Sequence, residues 1–257
     1  DDYGKIVREK FILRSLINVS TRIVSEAYAC NQDVDSLLDS AEAMIFDVSE
    51  HMNAREAYPI SMLVKENLNL FEKIHTHQGH VTGLPSGYID LDNITSGFQR
   101  SDFIIIAARP SMGKTAFACN IAQNLAVTQN IPVLIFSLEM SKEQLVQRML
   151  CSEARIDSSS MRKGILSDRE MGKLIQAAGI LEKAPIFIDD TPALSIFEIR
   201  ARARRLKSRE NIQLVVVDYL QLMRGRGRYE NRQQEITDIS ASLKAMAKEL
   251  SIPVIAL

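Results

Sequence analysis

From Thr82 to the end of the chain, short runs of consecutive apolar residues alternate with longer stretches in which apolar residues recur every three or four positions. The runs predict strands at 102–107, 133–137, 186–189, 214–218 and 254–257. The periodic stretches predict helices at 114–128, 141–154, 167–183, 195–208 and 232–250. Apolar strands between amphipathic helices predict an α/β fold with a parallel central sheet covered by helices on both faces. Sheets of this kind bind ligands where the strands end at their carboxyl edge.

The first 81 residues are patterned differently. Ile12, Leu16, Val19, Ile23 and Cys30 recur at helical spacing, as do Val34, Leu38, Ala41, Ile45 and Val48, with Asn31-Gln32-Asp33 between them. Residues 1–56 therefore read as a helical hairpin, with Asp33 as an N-cap. A hairpin this small cannot bury both apolar faces, so it reads as the end of a larger helical domain or as an oligomer contact. Residues 57–81 read as a linker carrying a third helix. Pro59 lies near its start and Ile60, Leu63, Val64, Leu68, Phe71 and Ile74 form one stripe. That stripe can dock on another domain or subunit, or on its own domain. His75, His77 and His80 read as solvated linker histidines rather than metal ligands. Residues 82–257 form the third unit.

With 46% apolar and 25% charged residues, the chain has an ordinary globular composition. A formal net charge of −1 excludes bulk attraction to nucleic acid and leaves local basic clusters as the only route to it. Cys30, Cys119 and Cys151 are far apart and read as free thiols in a reducing cytosol. No apolar run is long enough for a membrane span. The chain starts at Asp1 without Met and stops on apolar Leu257, so both ends read as cut.

The chemistry concentrates where predicted strands end. The run Phe103-Ile104-Ile105-Ile106 opens into Ala107-Ala108-Arg109-Pro110-Ser111-Met112-Gly113-Lys114-Thr115, immediately before a helix. A tight loop at a helix N-terminus aims backbone N–H groups and the positive end of the helix dipole at one point, which favours phosphate. Ala108, Arg109, Pro110, Ser111, Met112, Gly113, Lys114 and Thr115 are thus candidate nucleotide-binding residues. Lys114 is placed to reach the β- and γ-phosphates of ATP, and the Thr115 hydroxyl to ligate Mg²⁺. Ala108 departs from the P-loop pattern, which has glycine there.

Leu214-Val215-Val216-Val217-Asp218 has the Walker B form, four apolar residues and a carboxylate, so Asp218 is the second candidate for holding Mg²⁺, partly through water. Glu139, just past the second predicted strand, is the candidate for activating water. Asp189 and Asp190 end the third strand in the same way, and position alone does not separate them. Arg200, Arg202, Arg204, Arg205, Lys207 and Arg209 share one helix, as a solvated face or a nucleic-acid stripe. Arg224-Gly225-Arg226-Gly227-Arg228-Tyr229 combines three guanidiniums with a tyrosine and glycines. That composition suits Arg224, Arg226 and Arg228 to gripping single-stranded DNA.

Taken together, Ala107 to Thr115, Phe136-Ser137-Leu138-Glu139-Met140, Phe187-Ile188-Asp189-Asp190-Thr191-Pro192, Asp218-Tyr219-Leu220-Gln221-Leu222 and Glu230 to Glu235 resemble the DnaB-type replicative DNA helicases of bacteria and phages. That family carries Ala-Arg-Pro-Ser where other P-loops begin with glycine. The resemblance implies a RecA-like P-loop NTPase domain in a homo-hexameric ring, acting in the bacterial or host cytosol. ATP and Mg²⁺ would lie between subunits, single-stranded DNA in the channel, and primase and a helicase loader would be partners. By the same resemblance Lys114, Thr115, Glu139 and Asp218 match the family's site residues, and Arg148 falls at a basic position near the nucleotide.

The resemblance further implies that residues 60–77 are the linker helix that meets the adjacent subunit. It places a sensor glutamine and an arginine finger beyond Leu257, so that the fragment alone would bind nucleotide yet hydrolyse it poorly. Two rivals use the same loop. One is a non-translocating RecA-like DNA-binding protein, such as a recombinase or a nucleotide-switched scaffold; the other is a small-molecule kinase, which needs an acceptor pocket.

Overall fold

The computed structural model describes residues 2–29, 81–109, 111–223 and 231–257, with positions 37, 40, 41, 44, 45, 48, 59–61, 64 and 68 between. The chain divides into two compact units, Asp1–Thr76 and His77–Leu257. In the first, α1 (Asp2–Ala29) is the first arm of the expected hairpin. Its expected face is half-buried at Ile12, Val19 and Ile23, while Phe11, Ile17 and Val24 are exposed. Leu37, Ser40, Ala41, Met44, Ile45 and Val48 are helical, and the rest of the second arm lies outside the described residues. Ile60, Val64 and Leu68 of the expected linker helix are helical and exposed; the remainder of 60–77 and the three linker histidines lie outside the description.

The second unit carries five parallel strands: β1 (Phe103–Ile105), β2 (Val133–Ser137), β3 (Ile186–Asp189), β4 (Leu214–Asp218) and β5 (Val254–Ala256). Their order across the sheet is β1-β5-β4-β2-β3. The order puts β4 and β2 side by side in the interior, and every residue of both strands is buried. This explains their continuous apolar runs, since a strand covered on both faces has no polar side to alternate with.

Helices α2 (Ile89–Thr95), α3 (Lys114–Gln129), α4 (Lys142–Ala154), α5 (Ser158–Arg162), α6 (Asp168–Leu181), α7 (Ile196–Glu210) and α8 (Arg232–Leu250) complete the described elements, with a 3₁₀ turn at Leu220–Leu222. Alternate strand residues feed two cores. On one face Val133, Ile135, Leu214, Val216 and Ile255 meet Ile121, Ala122 and Leu125 of α3 and Leu145 and Met149 of α4. On the other, Leu134, Phe136, Val215 and Val217 meet Ile199 and Ala203 of α7 and Ile239, Leu243 and Met246 of α8. A smaller cluster, Ala154, Ile156 and Ala177 with Leu150, Leu166 and Leu174 around it, joins α4 and α6 with the segment between them.

The parallel sheet and its helical layers are as expected, and β2, β3, β4 and α8 have the expected bounds. Expected strand 102–107 is shorter: Ile106 still donates to the Ala256 carbonyl (2.9 Å), and then the chain leaves the sheet for the loop. Helices α2 and α5 were not anticipated, because seven and five residues are too few to develop a periodic stripe. Most of the basic row on α7 is engaged within the fold. Arg200 and Arg204 pair with Glu249, Arg202 with Asp189, Arg209 with Glu210, and Lys207 donates to the Ile212 carbonyl. Those partners favour a structural face over a nucleic-acid stripe.

Ile199 is fully buried at the α7–sheet contact. Truncation to alanine should lower unfolding free energy by about 2–5 kcal/mol in urea denaturation. Ile175→Ala, at a position 66% exposed on α6, should change it by less than about 0.5 kcal/mol.

Candidate functional site

The loop after β1 reaches α3 through two residues of positive φ, Ser111 (63°) and Gly113 (89°), with Met112 N–H donating to the Arg109 carbonyl at 3.3 Å. At Gly113 the backbone is left-handed, so a side chain there would be strained although space is open around it. Glycine at this position also leaves α3 without a side-chain cap. Helices α4, α5, α6, α7 and α8 all begin on a Ser, Asp or Asn whose oxygen accepts a backbone N–H. Amide donors and the positive dipole end of α3 therefore stay available to an anion, with no acidic side chain in its first turn.

Ala108, Arg109, Ser111, Met112 and Gly113 are exposed on this loop, and Lys114 and Thr115 are half-buried at its end. Pro110 lies outside the described residues. The Lys114 ammonium sits 5.4 Å from the centroid of the Tyr219 ring, a cation–π contact worth roughly 1 kcal/mol. This aromatic rest for the lysine was missed in the sequence. The only signal for it was an aromatic residue directly after the Walker B carboxylate.

Asp218 ends β4 with 2% of its surface exposed. Neither carboxylate oxygen touches solvent or has a partner at normal hydrogen-bond geometry. Burial pushes this carboxyl above its ordinary value of 3.8. The charge of Glu139 pushes it further, while the nearby Thr115 hydroxyl, Lys114 and Arg148 pull it back. Ser137 pairs in register with Asp218, Leu138 N–H bonds the Asp218 carbonyl and Lys114 lies over Tyr219. Lys114, Thr115, Glu139 and Asp218 therefore gather at the carboxyl edge of the sheet, with Arg148 near enough for its charge to act on Asp218. Cys119, one turn into α3, feels the same field. Burial, with Asp218 adding, pushes its thiol up to about 12 against the pull of Arg148, so it is inert as a nucleophile at neutral pH.

Glu139 is exposed in the turn that follows β2. Its two sequence rivals are committed elsewhere. Asp189 accepts from Arg202 Nη1 (2.7 Å) and from the Thr191 hydroxyl (2.7 Å). Burial raises its pKa, but these bonds outweigh it and hold the carboxyl below its ordinary range. Asp190 accepts the Lys142 backbone N–H (3.0 Å). That bond above all keeps its carboxyl low. Of the three carboxylates, Glu139 is the one whose charge acts on Asp218. Arg224, Arg226 and Arg228 lie outside the described residues.

A cavity of about 690 Å³ lies between α3, α4 and α5, and Asn120, Gln123, Arg148 and Met161 are among its lining. Neither Lys114, Thr115 nor Asp218 borders it. A triphosphate has more reason to sit on the uncapped helix end than in this space, because there the donors and the charge converge. Among the described residues no three His, Cys, Asp or Glu side chains form a ready metal cage, and no helix is long and apolar enough to cross a membrane.

Residues 83–257 match the family of the DnaB-like helicase C-terminal domain. Over 99% of its length the chain is 50% identical to the replicative DNA helicase DnaB of Geobacillus stearothermophilus and 48% identical to the replicative DNA helicase DnaC of Bacillus subtilis. It spans 56% of each of those relatives. Among solved structures, a DnaB-like replicative helicase described with its interactions with primase matches 98% of this chain and 58% of its own at a TM-score of 0.75 and 31% identity. A second solved structure, described as an ATPase domain, matches 79% of this chain and 71% of its own at a TM-score of 0.72 and 35% identity. With the nucleotide loop, the Walker B strand and this likeness in agreement, the chain belongs to the DnaB-like replicative helicase family, and its second unit has that family's RecA-like fold.

Proposed function

We propose that the chain is the central part of an ATP-driven replicative DNA helicase, which works as a homo-hexameric ring on single-stranded DNA. One observation carries the reading. A buried carboxylate without a partner, Asp218, shares a neighbourhood with Lys114, Thr115, Glu139 and Arg148 beside an uncapped helix N-terminus. Buried charge without a partner is costly and calls for a cation.

The residues fit Mg²⁺. It dehydrates reluctantly and is commonly held by one or two protein oxygens plus substrate phosphates, which is what Thr115 and Asp218 offer and why no preformed cage is needed. When bound with ATP, Mg²⁺ supplies charge neutralisation across the β- and γ-phosphates. The protein's own groups do the rest. Amides from Ser111 to Thr115 and the α3 dipole bind phosphate oxygens, with Ala108, Arg109, Pro110 and Met112 shaping the loop. Lys114 leaves Tyr219 for the phosphates. Glu139 orients a water molecule and accepts its proton as the water attacks, and Arg148 offsets negative charge.

On the same reading residues 1–56 are the end of a helical N-terminal domain, 57–81 the linker region and 82–257 the ATPase domain. Arg224, Arg226 and Arg228 contact single-stranded DNA on the strength of their composition alone. Primase and a loader are the protein partners, and the place of action is the cytosol. The relatives named replicative helicases support these assignments, as does the solved helicase described with primase. They disfavour the recombinase-like alternative, which has no use for the first unit.

Lys114→Ala should abolish binding of a fluorescent ATP analogue, and an affinity within threefold of the parent would remove the phosphate assignment. Glu139→Gln should bind the analogue normally while ATP turnover falls by at least about 100-fold. For Asp218 the sign follows from its raised pKa. An acid raised on folding stabilises the folded state while protonated. That contribution is complete below about 3.8 and is lost as pH rises through the folded value. Without nucleotide and Mg²⁺, Asp218→Asn should therefore raise Tm at pH 8, with the gap narrowing as pH falls through the folded value towards 3.8. Adding Mg²⁺ and nucleotide should stabilise the parent more than this variant.

A further inference from the structure

The turn that carries Glu139 is held at three points. At its start, Leu138 N–H donates to the Asp218 carbonyl at 2.7 Å, tying it to β4. Within it, the buried Ser137 hydroxyl donates to the Met140 carbonyl (2.6 Å) and accepts from Met140 N–H (3.3 Å). At its end, Lys142 N–H donates to Asp190 Oδ2 at 3.0 Å, tying it to the end of β3. Phe136 pairs in register with Asp189, so Asp190 stands level with Ser137, one residue past the last rung. The Lys142 ammonium also reaches Asp190 Oδ1 at 3.4 Å, but it is largely exposed and adds little.

We propose that Asp190 is a positioning residue for Glu139, holding the far end of the Glu139 turn against β3 by accepting the Lys142 backbone N–H. This rests on the reading of Glu139 given above. The first two anchors fix the turn's beginning and its middle. Without the third, its C-terminal end keeps the Ser141 cap, which lies within the same segment, and the packing of Met140 and α4 on the core, but loses its hydrogen bond to β3. Glu139 has no hydrogen bond of its own to restore its aim, among those the structure displays, and a shift of about 1 Å in such a group can cost up to 100-fold in rate. Nucleotide binding does not depend on this turn, because the phosphate donors belong to the loop before α3.

The bond can be broken from either side. Asp190→Ala removes the acceptor, and Asp190→Asn keeps a carbonyl oxygen for the same N–H. Lys142→Pro removes the donor. Lys142 is the first residue of α4, where proline is tolerated, and Ser141 before it is already extended (φ −68°, ψ 154°), as a residue preceding proline requires.

In the full-length protein, Asp190→Ala should lower kcat for ATP roughly tenfold with KM and analogue affinity within twofold of the parent. Asp190→Asn should recover most of the loss. Lys142→Pro should imitate Asp190→Ala, and the double variant should be no worse than either single one. The assignment is overturned if kcat of Asp190→Ala stays within twofold, if affinity falls together with kcat, if asparagine does not rescue, or if the two losses multiply. Glu139→Gln run alongside separates the two layers. Full turnover in that variant would remove Glu139 from the chemistry, whereas loss there with an unchanged Asp190→Ala would sink only the positioning role.

Discussion

A carboxylate sealed from water with no partner at normal hydrogen-bond geometry is the constraint on which this site depends. Asp218 ends the central strand of the sheet, and neither of its oxygens has a partner at normal hydrogen-bond geometry. Leaving it so costs stability, since burial disfavours the charged form. The fold keeps three positive or donating groups close by, Lys114, Arg148 and the Thr115 hydroxyl, but none of them closes the gap. The arrangement leaves the carboxylate short of a partner within the fold, and in the proposed reading Mg²⁺ with phosphate oxygens would supply it.

The sheet topology makes this possible. β4 lies between β5 and β2, so its carboxyl end borders the turn after β2 directly, while the loop from β1 reaches it across β5, bringing Lys114 over Tyr219. The groups proposed to bind phosphate, metal and water thus come from the loop after β1, the end of β4 and the turn after β2. Each is anchored to the sheet by backbone bonds, such as Leu138 N–H to the Asp218 carbonyl. A movement of one connection relative to another therefore changes the site directly, which is the property an ATP-driven motor requires.

Much of this was legible in the sequence, and the limits have physical causes. β2 and β4 could be bounded to the residue because strands buried on both faces are apolar throughout and end abruptly in polar residues. Lys114, Thr115 and Asp218 could be named because their spacing against a strand and a helix is set by the phosphate chemistry. Glu139 was chosen over Asp189 and Asp190 on the family resemblance, because position alone did not separate them: Arg202 and Lys142, which engage the other two, are partners brought in by the fold with no local pattern to announce them. Tyr219 as a rest for Lys114 was equally hidden, since the two are joined only through the sheet. The basic row on α7 read as a solvated face or subunit rim ahead of a nucleic-acid stripe, and its counter-charge Glu249, 49 residues after Arg200, had no local signal.

The most direct test of the central claim is an experimental structure of the full-length protein with Mg²⁺ and a non-hydrolysable ATP analogue. The account predicts the triphosphate against the amides at the start of α3, the Lys114 ammonium moved from Tyr219 to the phosphates, and a metal between Thr115 and Asp218. A nucleotide seated in the cavity between α3, α4 and α5, with Asp218 still without a partner, would contradict it.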